Sequence, residues 1–142
     1  MANVVCEISV TKAPLVAGSD LAGAGAVIDF WGVVRPIEDG REIEGIDYEA
    51  HYEMAEHQLK RIVEQAAERF ELKRVIVQHR TGFIAVGEAS LFLRVASPHR
   101  REGFQASQWI VDELKKKVPI WKRPRFKIKS HFRASHSEVA TV

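Results

Sequence analysis

Apolar and polar positions along this chain recur at steps that change from segment to segment, and each change marks a structural element. Val4-Val5-Cys6-Glu7-Ile8-Ser9-Val10 carries a strand-like alternation, and Pro14 and Gly18 mark the connection after it. Gly25 to Val34 is a longer apolar run that reads as a strand ending at Arg35-Pro36. Glu38-Asp39-Gly40-Arg41 has turn chemistry, so the partly polar Ile43 to His51 is expected to pair back as a hairpin. Within Glu53 to Phe70, the residues Ala55, Leu59, Ile62, Val63, Ala66 and Phe70 follow mostly three- and four-residue steps, the stripe of an amphipathic helix.

Val75, Ile76 and Val77 centre a strand from Arg74 to His79, and Thr81-Gly82 breaks it. Ala89 to Ala96 reads as another strand, with Leu91, Leu93 and Val95 on one face. A second helix is predicted from about His99 to Lys117, burying Phe104, Val111, Leu114 and Val118, and Pro119 stops it. Trp121 to Phe132 alternates basic and apolar residues and reads as a strand on an exposed edge. The order of strands, helix, strands, helix, strand predicts an α+β fold with two main helices against a mainly antiparallel sheet.

No repeat, low-complexity tract or linker interrupts the 142 residues, so 1–142 is read as a single domain. Hydrophobic residues at 46% and charged residues at 28% exclude a disordered tail, a collagen and a bare coiled coil. The longest run without a charge, Gly103 to Val111, falls far short of the roughly 20 apolar residues of a membrane span. The N-terminal residues lack the basic-then-apolar pattern of a signal peptide, so a soluble, cytoplasmic protein is expected. Cys6, the one cysteine, has no partner for a disulfide and is expected to be a small buried hydrophobe.

Charge changes the picture more than composition does. The formal total is only +2, yet Arg94 to Arg133 holds 12 basic and 3 acidic residues, while the remainder holds 9 basic and 16 acidic. Such clustering points to an anionic partner: nucleic acid, a phosphorylated small molecule or an acidic protein surface. Ser97-Pro98-His99-Arg100-Arg101 lies between a strand and a helix, where free backbone N–H groups and the helix dipole favour anions. Arg35 at a strand end is a second candidate anion ligand. Lys122 follows the stiff Pro119-Ile120-Trp121 segment in a cationic neighbourhood with Lys115, Lys116 and Lys117, a setting that suits a proton carrier or nucleophile. His79 and Arg80 read as structural. His51, His57, His131 and His136 lack ligand spacing, so no metal site is expected. With no GxSxG, phosphate-binding glycine loop or Cys–His pairing, the residues alone describe a small anion-binding α+β domain of open function.

Several stretches, taken in order, resemble the large, catalytic subunit family of molybdopterin synthase. They are Gly25-Ala26-Val27 with Phe30 to Arg35, Tyr48-Glu49-Ala50 with Met54-Ala55, His79-Arg80-Thr81-Gly82, Val86-Gly87-Glu88, Ser97-Pro98-His99-Arg100, and Leu114-Lys115 with Val118 to Lys122. The resemblance implies an α/β hammerhead-type fold and a cytoplasmic enzyme of molybdenum cofactor biosynthesis. Such an enzyme moves sulfur from a thiocarboxylated, small ubiquitin-like subunit to cyclic pyranopterin monophosphate, giving molybdopterin. It implies a homodimer within a heterotetramer, no cofactor or metal of its own, and no membrane or nucleic-acid partner. By position it implies catalysis by Lys115 and Lys122. The same two lysines would share the substrate with Val33, Val34, Arg35, His99 and Arg100, and with Arg123 and Pro124 beyond them.

The tail departs from the family pattern: Pro124 stands where a Glu is usual, and a short basic stretch, Arg125 to Val142, follows. That departure motivates a second reading, a diverged homologue that binds a ubiquitin-like tail or a pterin without catalysis. The basic segment motivates a third, a nucleic-acid-binding module, against which Phe104 and Trp109 fall on a predicted helix and not on an open stacking sheet.

Overall fold

The computed structural model describes residues 5–18, 21, 23–128 and 140–141. In chain order the elements are β1 (Val5–Thr11), β2 (Ala26–Val33), β3 (Ile37–Glu38), β4 (Arg41–Ala50), α1 (Tyr52–Arg69), β5 (Arg74–Arg80), β6 (Gly82–Ala85), β7 (Ala89–Ser97), α2 (Arg100–Lys117), β8 (Ile120–Phe126) and β9 (Ala140–Thr141). The fold is α+β, with two sheets where the apolar pattern suggested one. A four-stranded sheet has the order β1-β5-β7-β2, with β1 and β5 parallel and the other pairs antiparallel. The second, antiparallel sheet centres on β4, with β8 and then β9 to one side and β3 and β6 along the other.

Helix α1 packs on β1 and β5, α2 packs on β7 and β2, and the helices touch each other. The predicted stripe of α1 is the buried one: Ala55, Leu59, Ile62, Val63 and Ala66 are buried, joined by Ala67. His51 caps this helix, its Nδ1 accepting from the Met54 N–H at 3.2 Å. Val34, Ile43, Ile46, Tyr48, Ile84 and Ile120 share one buried cluster with Leu59, Leu93, Ile110 and Leu114, so both sheets close on a common core. No helix among the described residues is long and apolar enough to cross a membrane.

Several expectations give way to packing. Leu114 and Val118 are buried as expected, but Phe104 is 61% exposed and Val111 only half-buried, because α2 buries Gly103, Ala106 and Ile110 with Leu114. Gly103 sets the rotation: a Cβ there would stand 2.7 Å from Ile28 Cδ1, so the helix seats closely on β2 and turns Phe104 outward. Cys6 is exposed because β1 is an edge strand. The hairpin exists, but β4 pairs back onto the two-residue β3, while β2 joins β7 in the other sheet. The break at Thr81-Gly82 is followed by β6, which pairs with β4. The basic tail strand is not an edge: β8 is flanked by β4 and β9, and its continuation over residues 129–132 lies outside the described residues. Strand β7 is buried on both faces; Arg94 there donates to both Asp29 carboxylate oxygens at 2.6 and 2.7 Å and to the Gly18 carbonyl.

Candidate active site

The ends of several elements converge on one cleft of about 270 Å³. The end of β2 and the residues after it supply Phe30, Gly32, Val33, Val34 and Arg35; β3 supplies Glu38, and β4 supplies Ile46 and Tyr48. His79 from β5, Ser90 and Leu91 from β7, Leu114 and Lys115 from the last turn of α2, and Lys122 from β8 complete it. The walls are therefore half apolar, with polar groups at a few fixed points, the usual construction of a small-molecule site.

Three cations line this cleft against one carboxylate. Lys122 Nζ stands 3.3 Å from Glu38 Oε1, and an Arg35 guanidinium nitrogen stands 3.9 Å from the same oxygen. Arg35 is otherwise open, its side chain 76% exposed, and Lys115 has no ion pair among the described residues. The neighbouring lysines are different: Lys116 and Lys117 reach back to Glu113 at 3.9 and 3.0 Å, one turn earlier on α2. With a formal surplus of two positive charges among its lining residues, the cleft is built for an anion.

His79 adds no charge at neutral pH. Its ring is 2% exposed, and burial pushes its pKa down to about 4 despite the Arg80 carbonyl, which lies 2.9 Å from Nδ1. A carbonyl can only accept, so Nδ1 carries the proton of the neutral ring. Tyr48 meets the His79 ring edge-on at 5.4 Å between centroids. Burial raises the Tyr48 pKa, a hydrogen bond with Ser90 opposes the shift, and the Glu38 charge adds to it. The phenol therefore stays protonated and available as a donor.

Of the residues expected in a substrate pocket, the fold brings together Val33, Val34, Arg35, Lys115 and Lys122. It does not bring His99, Arg100, Arg123 or Pro124 into the same cleft. His99 and Arg100 are exposed at the start of α2, the far end of the helix from Lys115. Ser97 does not cap that helix by accepting from it; its hydroxyl donates to the His99 carbonyl at 2.6 Å. Strand alternation separates the tail residues: Ile120, Lys122 and Pro124 face inward, while Trp121, Arg123 and Arg125 are exposed on the other side. Pro124 pairs with Ile46 in the β4–β8 ladder and is buried without lining the cleft.

Glu38, Tyr48, His79 and Ser90 line the cleft although residue-level reading gave none of them a chemical role. For Glu38 the signal was a turn and nothing more, since its partner Lys122 is 84 residues away. The cationic neighbourhood expected around Lys122 is corrected by that carboxylate. More widely, part of the basic segment is paired with acids outside it: Arg94 with Asp29, Lys122 with Glu38 and Arg125 with Asp47 at 3.0 Å. Among the described residues no group of three or more His, Cys, Asp or Glu is placed to hold a metal ion, and His131 and His136 lie outside them.

Residues 6–117 match the family model described as MoaE protein. The molybdopterin synthase catalytic subunit of Pyrococcus abyssi is 43% identical over 102 residues, which cover 72% of this chain and 69% of that one. The crystal structure of molybdopterin synthase from Staphylococcus aureus superposes with a TM-score of 0.74 at 28% identity, covering 84% of this chain and 82% of the other. A chain in a complex of subunits 1 and 2 of molybdopterin-converting factor from Helicobacter pylori shares the fold, with a TM-score of 0.61, 21% identity, and 71% and 66% coverage.

Proposed function

This chain belongs to the MoaE family, whose curated relatives are molybdopterin synthase catalytic subunits, and we propose that its cleft transfers sulfur to cyclic pyranopterin monophosphate. The observation that carries the reading is the convergence of Arg35, Lys115 and Lys122 on one half-apolar cleft of a MoaE member. A phosphate-bearing pterin offers an anion for the cations and a flat ring for the apolar wall.

In this reading the sulfur donor is a second protein, a small ubiquitin-like subunit ending in a thiocarboxylate; a neighbour that shares this fold is itself found in a complex of subunits 1 and 2 of molybdopterin-converting factor. The nucleophile thus comes with the partner, and this chain needs no cysteine in its cleft. What its residues supply is position, charge stabilisation and a proton. Arg35 holds the phosphate, Lys115 stabilises the anionic tail, and Lys122 moves the proton.

A homodimer is part of this reading. β2 is an edge strand that exposes Phe30, Trp31 and Val33 by 38, 40 and 51% beside the cleft, an apolar edge that a second copy would cover. Within one chain, His99 and Arg100 cannot reach the substrate held by Lys115, so a role for them there requires that second copy. The diverged, non-catalytic alternative rests on Pro124 and the altered tail after it; Pro124 itself is not among the residues lining the cleft. The same reading takes the protein as cytoplasmic and 1–142 as one domain. The test is single-turnover formation of molybdopterin from the cyclic monophosphate and a thiocarboxylated small subunit. Turnover supports the synthase reading, and tight binding of both without turnover would favour the non-catalytic one.

A further inference from the structure

Among the described residues that line the cleft Glu38 is the only acid, and its placement is built from the turn beside it. Asp39 and Gly40 form the two-residue loop between β3 and β4, with φ of 50° and 72°, both in the left-handed region that a tight hairpin of this twist requires. The turn locks Glu38 opposite Arg41, with Ile37 more than half exposed while the Glu38 side chain is 14% exposed. From there one carboxylate oxygen, Oε1, reaches both Lys122 Nζ at 3.3 Å and the Arg35 guanidinium at 3.9 Å.

An acid in a cleft for an anionic substrate works against binding, since it cancels one of three positive charges. A compensating role follows from what lysine is: a compact charge on a flexible four-carbon stem, which must be held if its amine is to meet a reacting atom. Position 124, on the same inward face of β8, carries proline and can hold nothing by a side-chain hydrogen bond. The carboxylate must come from another strand. We propose that Glu38 is a positioning residue of the sulfur-transfer site, fixing the Lys122 ammonium against the cleft wall through Oε1. This rests on the sulfur-transfer reading above. Glu38 lowers substrate affinity slightly and raises the rate of the chemical step through Lys122.

The test compares Glu38→Gln, which keeps shape and removes charge, with Glu38→Asp, which keeps charge on a shorter stem. In single-turnover conversion of the cyclic monophosphate with thiocarboxylated small subunit, Glu38→Gln should lose about tenfold or more in rate constant, with substrate Kd unchanged or slightly lower. Glu38→Asp should be faster than Glu38→Gln, an order that packing alone would reverse. In the resting protein, acetylation of Lys122 by acetic anhydride, read by mass spectrometry, should run several-fold faster in Glu38→Gln than in the unmutated chain. Wild-type or raised turnover in Glu38→Gln, Glu38→Asp no faster than Glu38→Gln, or unchanged Lys122 acetylation would each overturn the proposal. An unmutated protein that never turns over would instead refute the sulfur-transfer reading, and the acetylation rates would still decide whether Glu38 holds Lys122.

Discussion

Arg100 opens α2 and Lys115 stands in its last turn, which puts them roughly 22 Å apart along the helix axis at 1.5 Å per residue. No side chain closes that gap, so the helix start and the cleft are two places on one chain. If both serve one substrate, each site combines the α2 start of one copy with the cleft of another.

Complementation checks this arrangement. Arg100→Ala and Lys122→Ala, each nearly inactive alone, should regain about a quarter of wild-type activity when equal amounts are mixed and allowed to exchange subunits. Half of the dimers are then mixed, and one of their two sites is intact. Activity no greater than that of the separate variants would place Arg100 outside the shared site.

Lys122→Ala should abolish sulfur transfer while leaving the fold and small-subunit binding intact. Lys122→Arg should rescue little, because guanidinium stays protonated and cannot accept a proton. Lys115→Ala should be impaired as well, though Arg there should recover part of a purely electrostatic role. Single-turnover assays with circular dichroism as the folding control separate these outcomes, and wild-type turnover in Lys122→Ala would remove it from the chemistry.

Arg35→Ala should weaken binding of the cyclic monophosphate by roughly ten- to a hundredfold, the loss of a charge-assisted hydrogen bond of about 1.5–3 kcal/mol. Its side chain is largely exposed, so melting temperature should hardly move. Isothermal titration of the monophosphate into both proteins measures the difference. Equal affinities would count against the cleft as the phosphate site.

Trp31→Asp places a charge on the exposed face of edge strand β2, where a second copy is expected to pack. Light scattering at micromolar concentration should show a dimer for the unmutated chain and a monomer for the variant. A dimer for both would move the interface elsewhere, and a monomer for both would refute the homodimer.

His79 makes stability depend on pH. Its folded-state pKa is about 4 against an ordinary value near 6.5, so between these values the unfolded chain binds the extra proton. Acid therefore favours unfolding: the protein should lose on the order of 2 kcal/mol from this group between pH 7 and pH 5. Urea denaturation at the two pH values should show the loss in the unmutated chain and a flatter dependence in His79→Asn. The same slope in both would exclude His79 as its source.

Much of the scaffold is legible from local pattern. The helix expected over Glu53–Phe70 lies at Tyr52–Arg69, and that expected from His99 to Lys117 at Arg100–Lys117. Both carry a stripe long enough to read, and Pro119 ends the second. β6 escaped because a four-residue strand after a glycine has too few alternations to register. Phe104 misled because a stripe beginning at Gly103 buries no side chain there, leaving the aromatic beside it as the stronger signal.

The sequence by itself determined the helices, most strands, the Asp39-Gly40 turn and the asymmetry of charge, since each depends on neighbours a few residues apart. It also carried the ordered stretches that marked the family. Only the tertiary structure decided which charges remain. Arg94, Lys122 and Arg125 meet Asp29, Glu38 and Asp47 across sheet registers spanning 65, 84 and 78 residues. Coulomb attraction depends on distance in space and local dielectric, and neither follows from order along the chain. The same holds for the cleft, whose cations come from a strand end, a helix end and a strand that only the common core brings together.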